Sequence, residues 1–175
     1  MNKICGKLID YALVKEDASR IVVSYDLNQE EGSDICTWYE IYFYKKQGTP
    51  NFNKVKDSIL SDINSRTDEK ILSGFVWKER PVWLSTENQF NFKAAYDIAI
   101  QSKGQSLPVT FKIGEDSEEN PVYYTFTEMN DFTDFYVSAI TFVNTTLNEG
   151  WAKKDGIDFD EYKEYFLDEN NNVNE

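Results

Sequence analysis

The chain has 175 residues, enough for one ordinary domain that buries roughly 70% of the surface of its unfolded chain without a disulfide staple. Its 18 basic and 31 acidic residues leave a net charge of -13, and that field repels phosphate backbones and anionic lipid heads, which argues against direct nucleic-acid binding. Histidine is absent, so Ser-His-Asp and Cys-His catalysis and imidazole zinc sites are excluded, and Cys5 and Cys36 are too few for a four-thiolate zinc site or a secreted disulfide framework.

The first third has strand composition. Lys3 to Val14, Ser19 to Asn28 and Ile35 to Tyr44 are rich in Ile, Val, Tyr, Phe and Thr, and Gln29 to Asp34 carries turn chemistry, which predicts a three-stranded antiparallel meander. Trp38, Glu40, Tyr42 and Tyr44 alternate with Tyr39, Ile41 and Phe43, the pattern of a sheet with one buried and one amphipathic face. Gln47 to Pro50 breaks the sheet. Pro50 fits the first turn of a helix, and Phe52, Val55, Ile59 and Ile63 recur at helical spacing as its buried stripe.

After Ser73-Gly74, Phe75 to Trp77 and Val82 to Leu84 flank Lys78 to Pro81, which predicts a short hairpin or one bent strand. Thr86 and Gln89 have capping-box spacing, with Trp83 and Phe90 assigned to the core, Phe90, Ala94 and Ile98 as the buried stripe, and Gly104 as the stop. Leu107 to Ile113 and Pro121 to Thr127 alternate about an acidic turn and form a hairpin. A long helix follows, with Phe132, Phe135, Tyr136, Ala139, Phe142, Val143 and Leu147 on one side and Gly150 at its end. A connection from Trp151 to Gly156 leads to a short last helix, with Asp158 and Glu161 as a capping-box pair and Phe159, Tyr162, Phe166 and Leu167 as its apolar face. The fold class is therefore α+β: meander, helix, hairpin or bent strand, helix, hairpin, long helix, short helix. Residues 1–169 form a single domain with a sub-boundary near residues 47–50, and residues 170–175 a disordered tail.

Chemistry is sparse. The eight glycines make no phosphate-binding cluster. The stretch Asp155 to Tyr162 looks like half of an EF-hand loop, but with Gly156 at the sixth position Lys153 takes the third and Tyr162 the twelfth, where calcium requires oxygen ligands. No catalytic, metal or cofactor residues are assigned, and the expectation is a non-enzymatic protein. No stretch approaches the roughly 18 apolar residues of a membrane helix, and no basic leader precedes an apolar core, so neither secretion nor membrane insertion is expected.

The segments Val82 to Asp97, Leu107 to Lys112, Asp131 to Tyr136 and Gly150-Trp151 resemble an uncharacterised domain of bacteriophage and prophage proteins from gut Bacteroidetes, over residues 75–158. The resemblance implies association with tail or tail-fibre regions and a location in the bacterial cytoplasm or the virion. It brings no catalytic residues. Within it Glu87, Asn88 and Asn91 are the residues freest to recognise something. Glu115, Asp116, Glu118 and Glu119 in the acidic turn are either a solvated hairpin tip or a patch that steers a basic partner. The expected partner is a protein, either a virion component or a host protein with a basic surface. Two further readings stand beside this: an acidic inhibitor of a host nuclease or defence protein that mimics DNA charge, and a carboxylate-based enzyme or glycan-binding module built on exposed aromatic rings.

Overall fold

The computed structural model describes residues 2–166, and the tail at residues 170–175 and Leu167 lie outside them. The fold is α+β. It runs β1 (Asn2–Lys7), β2 (Val14–Glu16), β3 (Arg20–Gln29), β4 (Ile35–Tyr44), α1 (Phe52–Ser73), β5 (Phe75–Trp77), β6 (Arg80–Val82), α2 (Thr86–Gln101), β7 (Val109–Glu115), β8 (Pro121–Phe126), α3 (Met129–Asp155) and α4 (Asp160–Lys163). Two compact units result, Met1–Asn64 with Trp151–Glu175, and Ser65–Gly150. The Gln47–Pro50 break lies inside the first.

The first unit holds a four-stranded antiparallel sheet in the order β1-β4-β3-β2. The expected first strand, Lys3 to Val14, is two strands. A 3-10 turn at Leu8–Asp10 interrupts it, and the Asp10 carboxylate accepts the Lys7 N–H there at 3.4 Å. The break sends the two halves to opposite sides of the sheet: β1 pairs with β4, Lys3 opposite Tyr39, while β2 pairs with β3, Val14 opposite Val23.

One face of this sheet supplies Ile21, Val23, Tyr25 and Ile41, which share a buried core with Phe52, Val55, Ile59 and Ile63 of α1 and with Tyr162 and Phe166. The stripe expected for α1 is the buried one, and each such side chain contributes roughly 1.5–3 kcal/mol. The opposite face is less amphipathic than the alternation suggests. Trp38 is only 2% exposed, with Tyr11 edge-on to its ring at 5.8 Å. Glu40 is buried beside it as an acceptor, taking hydrogen bonds from Trp38 Nε1 at 3.0 Å and Tyr42 Oη at 2.8 Å. Those two donors supply the partners that a buried carboxylate requires.

The second unit contains the β5–β6 and β7–β8 hairpins, α2 and most of α3. Its core is aromatic: Phe135 packs on Trp77, Phe92 and Phe126 with ring centroids 5.0–5.1 Å apart, mostly in the tilted or edge-to-face arrangements that aromatic quadrupoles favour. The β5–β6 segment is a hairpin, closed by Lys78 and Glu79, both at positive φ.

Two expected helix features differ. Gly150 does not end α3, which continues through Trp151 to Asp155, so the residues expected as a connection are helical. Gly150 is instead buried in the helix interior. The last helix is a single turn, and its capping-box pair does not form: the N-cap is Phe159, without a side-chain hydrogen bond, while Asp158 Oδ1 accepts the Asp160 N–H at 2.9 Å. Among the described residues no helix is long and apolar enough to cross a membrane.

Candidate functional site

Helix α2 takes its N-cap one residue before the expected Thr86. Ser85 is the N-cap, its Oγ accepting the Asn88 N–H at 3.2 Å, and Gln89 Nε2 donates back to the Leu84 carbonyl at 2.6 Å. A serine oxygen on an otherwise orphaned N–H is worth about 1 kcal/mol. The same turn consumes Asn88, whose Nδ2 donates to the Trp83 carbonyl at 3.0 Å. Of the three residues expected to be free for recognition, Glu87 and Asn91 are exposed and Asn88 is half-buried and committed to the helix start.

The buried side of α2 is not the expected one. Phe92 is 2% exposed and Ala99 fully buried, whereas Phe90 is 70% and Ile98 56% exposed. Trp83 is also exposed to 36%, with the Lys112 ammonium 5.4 Å from its ring centroid. The cause lies in packing. Phe92 meets Phe111 and Phe135 edge-on at 4.9 and 5.0 Å, and Tyr96 stacks on Tyr136 of α3 at 4.4 Å. Those contacts orient the helix and turn the row Phe90, Ala94 and Ile98 outward. Side chains four apart are neighbours on a helix surface, so the three form one continuous apolar stripe.

Around the stripe stand Glu87 and Asn91 on one flank and the Lys93–Asp97 ion pair on the other, at 2.7 Å. Exposed pairs of this kind contribute little stability, roughly 0.3–0.5 kcal/mol. The result is an apolar row with a polar rim, the anatomy of a protein contact surface in miniature.

The acidic turn between β7 and β8 is partly consumed by its own architecture. Asp116 Oδ1 accepts the N–H groups of Glu118 and Asn120, both at 2.9 Å, and these backbone bonds, Asn120 first, hold its carboxyl below the usual aspartate range. Glu115 pairs with Lys112 at 2.8 Å. Glu118 and Glu119 are exposed and are the two carboxylates of the tip that these contacts do not engage. Among the described residues no cluster of three or more Cys, Asp and Glu could hold a metal ion.

Neither Phe90 nor Ile98 is legible in the sequence as a surface residue, because α2 carries apolar residues on both sides and periodicity alone does not choose between them. No family model, curated protein or solved structure matches this chain.

Proposed function

We propose that this chain is a non-enzymatic protein of phage or prophage origin that works by protein-protein contact, as a tail-associated or other accessory component of the virion or the infected bacterial cytoplasm. The observation that carries the reading is the outward row Phe90, Ala94 and Ile98, whose two large members are 70% and 56% exposed. Leaving such side chains in water forgoes roughly 1.5–3 kcal/mol each, which a partner recovers by covering them. With Glu87 on the rim and a net charge of -13, the partner surface that fits is an apolar patch with basic edges.

The test is affinity capture of the tagged chain from lysates of a gut Bacteroidetes host, with and without phage induction, beside Phe90→Ser/Ile98→Ser and Glu118→Gln/Glu119→Gln variants. A virion tail or baseplate protein held by the parent chain and lost with the first variant is the expected result. Capture of a host nuclease or defence protein that elutes at low salt and is lost with the second variant replaces this reading with the acidic inhibitor. A turnover activity abolished by one carboxylate substitution, or capture indifferent to both variants, overturns it.

A further inference from the structure

In the first unit, β4 ends in a 3-10 turn at Lys45–Gln47, Gly48 takes φ 90°, and the chain enters α1 through Pro50 and the N-cap Asn51, whose Oδ1 accepts the Lys54 N–H at 2.8 Å. This excursion leaves an open cavity of about 620 Å³ lined by Phe43, Tyr44, Pro50, Lys54, Tyr165 and Phe166. A second hollow of about 480 Å³ shares Phe43, Gln47 and Lys54 with it and continues along α1 past Asp57 and Ser58. The two hollows adjoin across Phe43, Gln47 and Lys54 and are taken together as the groove.

Three features specify its chemistry. Tyr44 and Tyr165 are 45% and 54% exposed in a lining that also holds the buried Pro50 and Phe166, and the Lys46 ammonium lies 5.9 Å from the Tyr44 ring centroid; half-exposed aromatic rings beside apolar surface suit the C–H face of a pyranose ring. The polar lining mixes a cation, a carboxylate and an amide in Lys54, Asp57 and Gln47, a donor and acceptor set that matches vicinal hydroxyls rather than one charge, while the Ser58 hydroxyl donates to the Lys54 carbonyl at 2.8 Å. The overall charge of -13 opposes a polyanion.

The geometry points to a binding site for a neutral oligosaccharide in this groove, with Tyr44 and Tyr165 as stacking platforms and Lys54, Asp57 and Gln47 as hydroxyl partners. It is independent of the α2 surface and stands or falls separately.

The intact chain is titrated with maltotriose, mannotriose, cellotriose and trigalacturonic acid while amide shifts are followed by NMR. The expected result is saturable binding of at least one neutral trisaccharide, with shifts at Gln47, Gly48, Thr49, Asn51 and Lys54. Tyr44→Ala and Tyr165→Ala each weaken it about tenfold, the loss of roughly 1.4 kcal/mol, whereas Tyr44→Phe keeps it and Phe90→Ser leaves it unchanged. Thermal melts of each variant confirm that the fold is retained. Three outcomes overturn the inference: no neutral trisaccharide in the panel binds, the acidic trisaccharide binds tightest, or both tyrosine-to-alanine variants bind as the parent chain does.

Discussion

Gly150 of α3 lies against Thr67 of α1 so closely that a Cβ built on the glycine would stand 2.5 Å from Thr67 Oγ1 and 3.1 Å from its Cγ2. The glycine is there for close approach, not for a helix stop. Its backbone is helical and its φ is not in the left-handed region, so conformational freedom is not the reason for it.

Gly150→Ala therefore sets a helix-propensity gain of about 1 kcal/mol against an overpacking cost of about 1–3 kcal/mol. Because Thr67 is β-branched and stiff, the steric cost wins, and urea denaturation should show a lower midpoint. Adding Thr67→Ala relieves the clash and should bring the second substitution back to neutral or better. A midpoint raised by Gly150→Ala alone would sink the account.

The two faces of α2 make opposite predictions for two phenylalanines only two positions apart. Phe92→Ala empties a fully packed site and should cost about 3–5 kcal/mol, while Phe90→Ala removes a ring already in water and should change stability by less than about 0.5 kcal/mol. Chemical denaturation of both variants checks this. Equal losses would return Phe90 to the core.

Lys78 and Glu79 close the β5–β6 turn at φ 48° and 62°, a conformation in which residues with a Cβ are disfavoured by roughly 1–2 kcal/mol and which two-residue hairpins usually fill with Asn-Gly. Lys78 makes good use of its position: its ammonium meets the Asp131 carboxylate, lies 3.3 Å from Tyr124 Oη and 4.4 Å from the Trp77 ring centroid. Glu79 is the residue to change. Glu79→Gly should stabilise the chain by up to about 1 kcal/mol, offset in part by the added freedom of the unfolded chain, and raise the melting temperature, whereas Lys78→Gly loses the cluster and should lower it.

The tip aspartate gives a pH prediction. The backbone N–H bonds of Asn120 and Glu118 hold Asp116 below its ordinary carboxyl range in the folded chain, so its contribution is fully present above the unfolded value of about 3.9 and is lost as pH falls through the lower folded value. Asp116→Ala should lower the melting temperature at pH 7, and the gap between variant and parent should shrink as the pH is taken from about 4 toward 2. A gap that is constant across this range would show that the carboxylate charge is not what stabilises the turn.

Much of the architecture is legible in the residues because it depends on local pattern. The α1 stripe of Phe52, Val55, Ile59 and Ile63 is apolar on one side, so 3.6-residue periodicity names its buried face without ambiguity. The β7–β8 hairpin is marked by alternation on both arms and by an aspartate that caps its own turn. Proline and glycine at Gln47–Pro50 mark a real break, since Gly48 occupies a φ that other residues avoid.

The candidate surface was not legible in the same way. Phe90, Ala94 and Ile98 form one apolar row on α2, and Phe92, Tyr96 and Ala99 form another on the opposite side, so the local pattern states only that the helix has two apolar faces. Which of them is covered depends on Phe111, Phe135 and Tyr136, 19–43 positions beyond the residues they touch, meeting the second row edge-on and in a stack. The same holds for Gly150, whose place is a close contact and not a helix stop because Thr67 lies against it, and for the two sides taken by β1 and β2 in the sheet. Composition, charge and periodicity act through neighbours in sequence and determine the elements and the chemistry excluded; burial is a property of what those elements meet across the fold, and it alone decided which aromatic rings face water.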